Sequence, residues 1–151
     1  MSIDQNRSQQ DIWRWQNLKP YDIRHELPSV DDYMRLRKIA GMSGRSREAA
    51  TTGLKNSLFS VCVYAGDRLI GMGRLVGDGG CNFEVVDVAV DPEFQGRGIG
   101  KDIMKVITGY LDEHAPESAY VSLIADVPAD RLYKKFGFDY TTPSVGMYKR
   151  Y

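Results

Sequence analysis

Gln95-Gly96-Arg97-Gly98-Ile99-Gly100-Lys101 stands between a β-patterned run that ends at Asp91-Pro92 and a helix-patterned run that begins at Ile99. This junction limits the folds open to the chain more than any other segment. Glycine at every second position permits a close turn, and the first turn of a helix carries N–H groups with no intrahelical acceptor, reinforced by the helix dipole. Several backbone donors can therefore converge on one anion, and a phosphate or pyrophosphate is the natural guest.

The segments on either side predict a mixed α+β chain. Ser29 before Val30, Asp31 and Asp32 is a capping pattern, and Tyr33, Leu36, the Arg37 stem and Ala40 then recur at helical spacing. Gly41 and Gly44 end that helix, and Ser46 with Glu48 opens a shorter one that runs to about Asn56. From Leu58 the period changes to that of strands. LFSVCVYA and RLIGMGRLV are separated by Gly66-Asp67, a pair suited to a tight hairpin, and FEVVDVAV follows the turn at Gly77 to Gly80. Proline at 92 removes a ladder donor and ends the third of these antiparallel strands. Ile99, Ile103, Val106, Ile107, Tyr110 and Leu111 share one face of a helix predicted to reach about His114. Beyond it the pattern predicts a strand from Tyr120 to Ala125, a short helix from Pro128 to Lys135 stopped by Gly137, and two last strands, Phe138 to Thr141 and Val145 to Arg150. Residues 1–18, polar apart from Trp13 and Trp15, read as an arm, and residues 19–151 as a single domain.

Charge and cysteine content remove several classes of function. Lys plus Arg and Asp plus Glu each number 20, so no net field draws the chain to nucleic acid or to an anionic membrane. Cys62 and Cys81 lie in apolar, strand-like contexts without CxxC spacing, which reads as two buried free thiols and no metal site. His25 and His114 have no recognisable partner and read as packing or surface residues. The first residues lack the apolar run of a signal peptide, and no stretch is long and apolar enough for a bilayer, so the expected location is cytoplasmic.

Three phosphate-binding motifs compete for the glycine cluster. A Walker loop needs glycine where Gln95 stands and Ser or Thr where Asp102 stands. A dinucleotide fingerprint needs a third glycine at Lys101, after the first strand of a parallel unit rather than an antiparallel meander. The pattern that fits is the Gln/Arg-x-x-Gly-x-Gly/Ala signature of the Gcn5-related N-acetyltransferases (GNAT), which the chain resembles over roughly residues 20 to 151. A second block of that family appears as Ala129-Asp130-Arg131-Leu132-Tyr133-Lys134-Lys135-Phe136-Gly137-Phe138, in the matching order.

The resemblance implies a mixed, mostly antiparallel twisted sheet flanked by helices, and acetyl coenzyme A as cosubstrate. It implies that Gln95, Gly96, Arg97, Gly98, Ile99, Gly100 and Lys101 hold the pyrophosphate, with the backbone of Val88 and Val90 pairing with the pantetheine arm. Asp126 stands where many members carry an asparagine that contacts the pantetheine. Glu84 falls at the place of the general base and Tyr133 at that of the general acid. Asp87 is a rival base or a ligand for the substrate ammonium, its other reading being burial against a partner. Arg45 and Asn56 fall where family members build the acceptor pocket. The leading expectation is acetylation of a primary amine on a small molecule by direct attack on the thioester, with no metal, no nucleic acid and no membrane, and with room for a homodimer. A protein or peptide acceptor and a non-catalytic acetyl coenzyme A sensor are the alternatives.

Overall fold

The computed structural model describes residues 20–151; the predicted arm over residues 1–18, with Trp13 and Trp15, lies outside the described residues. Ser29 and Ser46 act as the sequence predicts. Each accepts a backbone N–H from three residues on, Asp32 and Ala49, and so starts the helices α1 (Val30–Ile39) and α2 (Arg47–Lys55). Gly41 at φ 78° takes the left-handed turn that ends the α1 segment.

The strands β2 (Phe59–Ala65), β3 (Arg68–Gly77) and β4 (Asn82–Val90) form the predicted meander. The short strand β1 (Asp22–Arg24) adds antiparallel to β2, and β5 (Tyr120–Leu123) adds parallel to β4, giving the order β1-β2-β3-β4-β5. Three residues are too short a run for their alternation to register as a strand, which is why β1 is invisible in the sequence. Helix α3 (Ile99–His114) covers one face of this α+β sheet, and α4 (Asp130–Lys134) follows β5.

The alternation of strand side chains builds two hydrophobic clusters among the described residues. On the α3 face, Val61, Val63, Ile70, Leu75, Phe83 and Val85 pack against Ile99, Ile103, Met104, Ile107 and Leu111. On the other face, Cys62, Tyr64, Leu69, Met72 and Ala89 meet Tyr33 and Leu36 of α1 and Ala50 and Leu54 of α2. Each fully buried side chain of this size contributes roughly 1.5–3 kcal/mol.

The sheet also uses glycine where α3 comes closest. A Cβ on Gly73 would lie 2.7 Å from Ile103 Cγ2 and 2.9 Å from Ile107 Cδ1. Gly73→Ala is therefore expected to lower the unfolding free energy by about 1–3 kcal/mol through overpacking, measurable as a shift of the urea midpoint.

Two expectations need correction. Cys62 is buried, but Cys81 is exposed, because it lies in the turn that precedes β4. Burial pushes the Cys62 thiol up to about 12, so a thiol reagent at pH 8 is expected to label one cysteine in the native protein and both after denaturation. The two C-terminal strands do not form; residues 135–151 carry no strand. Local bonds hold this chain instead: Tyr140 N–H donates to Asp139 Oδ1, its hydroxyl to Asp130 Oδ2, Ser144 N–H to Thr141 O, and Thr141 Oγ1 to Ser144 O. Such side-chain and turn bonds compete with a ladder, and Pro143 has no N–H to give one. No helix among the described residues is long and apolar enough to cross a membrane.

Candidate active site

The turn that leads into α3 is built from polar anchors. Asp91, 1% exposed, accepts from Arg68 Nη2 at 2.6 Å and from Glu93 N at 3.0 Å, fixing the single 3-10 turn Pro92–Phe94. Gln95 Nε2 then donates back to Val90 O at 3.1 Å. Gly96 and Gly98 both adopt left-handed φ, 76° and 81°, with nothing within 4 Å of either missing Cβ.

Gly98 is the N-cap of α3 and has no side chain to cap with, and the first helical bond runs from Asp102 N to Gly98 O. The N–H groups of Ile99, Gly100 and Lys101 thus have no acceptor among the described residues, at the positive end of a sixteen-residue helix. Lys101 and Arg97 are exposed, and Arg97 lies over the Phe94 ring at 5.0 Å. Gly100 lets the helix approach closely; its Cβ would meet Leu132 Cδ2 of α4 at 3.4 Å.

Beside this loop, the outer edge of β4 is open. The parallel register with β5 ends at Val85↔Leu123, whereas β4 continues to Val90. Asp91 N–H donates to Ile70 O, which makes Gly71↔Val90 a non-hydrogen-bonded pair of the β3–β4 ladder. The backbone groups of Val90, and two residues back those of Val88, therefore face away from β3 and toward the open edge. Gln95 occupies the Val90 carbonyl, which leaves the Val90 N–H and both Val88 groups for an extended guest.

On the face covered by α1 and α2, Glu84 is half-buried opposite Val76 of β3 and Ser122 of β5. It makes no hydrogen bond or ion pair among the described residues. Asp87 is different. A register shift between Met72 and Arg74 marks a bulge, and Asp87 sits there at φ 57° with its carboxylate 8% exposed as a residue. It receives Arg74 Nε at 2.8 Å, the Tyr33 hydroxyl at 3.0 Å, and a short bond from Arg37 Nη1. Three donors already occupy its oxygens, so the structure makes it a structural anion rather than a base or an ammonium ligand. Burial, then the Asp87 charge, pushes the Tyr33 phenol up.

Tyr133 lies half-buried on α4, edge-on to Phe138 at 6.4 Å between ring centres, and its hydroxyl has no hydrogen-bond partner among the described residues. Burial, then the Asp126 carboxylate, raises its pKa above the usual 10.0. Asp126 itself is exposed, and its carbonyl accepts Ala129 N–H at 2.7 Å.

Arg45 and Asn56 do not converge. They flank opposite ends of α2, a nine-residue helix about 13 Å long at 1.5 Å per residue, and both side chains are spent locally, on Ser43 and Gly44 and on Thr52. What sequence reasoning missed is the pair Arg37 and Arg74, 3% and 7% exposed. The available signal was an arginine in the inward phase of a helix and another in the inward phase of a strand, where an unpaired charge is too costly to leave.

Comparison with known proteins agrees with this geometry. A family model described as an acetyltransferase (GNAT) domain matches residues 39–147. An uncharacterized N-acetyltransferase, ycf52, of Pyropia yezoensis is 30% identical over 126 residues, covering 81% of this chain and 66% of that protein. Two further curated relatives are covered over 40% and 27% of their length, so the chain spans less than two thirds of these relatives. Among solved structures, a Staphylococcus aureus protein of unknown function, described as a probable acetyltransferase, is 52% identical with a TM-score of 0.84, covering 87% of this chain and 99% of that one. A GNAT family protein of Streptococcus pneumoniae is 26% identical with a TM-score of 0.70, covering 87% and 98%.

Proposed function

Because this chain belongs to the GNAT acetyltransferase family, we propose that it moves the acetyl group of acetyl coenzyme A onto the primary amine of a small molecule. The observation that carries this reading is the uncapped α3 N-terminus beside the open edge of β4. Unspent N–H groups of Ile99, Gly100 and Lys101 suit a pyrophosphate, and the free backbone groups of Val88 and Val90 suit the amide-bearing pantetheine arm.

Direct transfer needs a neutral amine, a held carbonyl and a proton for the departing thiolate. Glu84, half-buried and unpaired, takes the proton of the substrate ammonium, directly or through one water. The amine nitrogen then bonds to the thioester carbon as the carbon–sulfur bond breaks. Tyr133 gives its phenolic proton to the thiolate, a role that suits a phenol whose neutral form is favoured by burial and by Asp126, and the proton that the acylated nitrogen then sheds to become an amide restores the phenol through water. Asp87 holds Arg37 and Arg74 in place beneath the acceptor face.

The test combines calorimetry of acetyl coenzyme A binding with thiol release against a panel of amines and peptides. Binding with amine-dependent release is the expected result. Binding with no release from any acceptor would favour a sensor, and absence of binding would overturn the reading.

A further inference from the structure

We infer that the acceptor is an amine that also carries a carboxylate, an amino acid, whose carboxylate is received by Arg74 and Ser60 while its amino group meets Glu84. The inference rests on the acetyl-transfer reading and deepens it.

Four observations converge on one patch of the sheet. Ser60, Arg74 and Val86 are paired across β2, β3 and β4, and Glu84 lies two residues from Val86 on the same face. Diagonal neighbours in adjacent strands are separated by about 7–8 Å, so Arg74 and Glu84 are within the span of one small zwitterion once their side chains extend.

Charge is out of balance there. Arg37 and Arg74 are both buried, and Asp87 is the one carboxylate that ion-pairs with either among the described residues. The remaining donors go to neutral oxygens: Arg37 to Ser43 O and Oγ, Arg74 Nη1 to Gly53 O and Ser57 Oγ. The cluster thus carries one more positive than negative charge, a state that burial penalises until an anion arrives.

Two donors are also unspent. Arg74 Nη2 makes no hydrogen bond among the described residues, although its Nε and Nη1 are fully used. Ser60 is 6% exposed, and among the described residues its Oγ has no partner other than the adjacent Cys62 sulfur, a weak acceptor. One N–H and one O–H match the two oxygens of a carboxylate.

A cavity of about 240 Å³ lined by Ser57, Leu58, Phe59 and Ser60 together with the loop His25 to Leu27 borders this patch at Ser60. Ser57 is the residue that Arg74 Nη1 grips from behind. Glu26, the acid in this lining, lies 3.8 Å from Arg24, which offsets its charge.

The experiment compares an amino acid with its decarboxylated amine and its amide as acceptors, in wild type and in Ser60→Ala. Ser60→Ala removes a hydroxyl whose one neighbour for a hydrogen bond among the described residues is the weakly accepting Cys62 sulfur, so the melting temperature should change little. Wild type is expected to favour the amino acid in kcat/KM by roughly 10- to 100-fold, the value of a hydrogen bond to a charged group. Ser60→Ala should shrink that ratio several-fold, through KM rather than kcat.

Equal use of amino acid and decarboxylated amine by wild type would overturn the carboxylate site and leave the transferase reading intact. An unchanged ratio in Ser60→Ala would also overturn it. Calorimetry of the amino acid with coenzyme A present separates the two readings. Binding that weakens in Ser60→Ala, without acetyl transfer to any acceptor, would support the site and remove the transferase.

Discussion

Asp87→Asn is expected to lower the unfolding free energy by about 3–5 kcal/mol, the usual cost of removing one partner from a buried ion pair. Asparagine is the sharper probe because it tolerates the left-handed backbone that Asp87 adopts at φ 57° and keeps an oxygen for the Tyr33 hydroxyl. What it removes is the negative charge, and two buried guanidiniums then face each other with only neutral acceptors. For a chain of this length the loss corresponds to a fall of about 6–20 °C in melting temperature. A denaturant titration that finds less than about 1 kcal/mol would show that backbone carbonyls and Ser57 suffice to hold both arginines.

The second large effect is in turnover. Tyr133→Phe keeps the ring that packs edge-on to Phe138 and deletes a hydroxyl with no partner among the described residues, so the fold and acetyl coenzyme A affinity should survive. If the phenol supplies the thiolate's proton, kcat should fall by about 100- to 10,000-fold, the range for a positioned acid. The pH profile gives an independent reading. An acid works only while protonated, and burial together with Asp126 raises this phenol above 10.0, so wild-type kcat should show no alkaline fall from Tyr133 below pH 10. A turnover number unchanged in Tyr133→Phe would remove the residue from the chemistry.

Local signals were readable in the sequence and long-range ones were not. Ser29 and Ser46 each specify a helix start through a bond three residues away, and the glycines around Gly98 specify a turn by their own φ. Glu84 and Tyr133 were placed by motif position, and neither side chain makes a hydrogen bond among the described residues. Burial of Asp87 against a partner was one of its two readings, but the partners themselves could not be named, because they lie 50 and 13 residues away and meet it only after α1 and β3 are folded. The C-terminal runs alternate well enough for strands, but alternation does not reveal whether a neighbouring strand offers its edge. There, Asp139, Thr141 and Ser144 found closer partners.

The division of the interior into two clusters has a consequence for descent. The turn that leads into α3 is anchored through Ile99 to the α3 side, while the Asp87 network and Ser60 belong with α1 and α2 on the other. A lineage can therefore drift in α1, α2 and the loop between them while Ile99, Ile103 and Ile107 stay under separate constraint. Under the proposed function, diversification of what is recognised and retention of what is handed over become nearly independent characters, heritable in different stretches of one short chain.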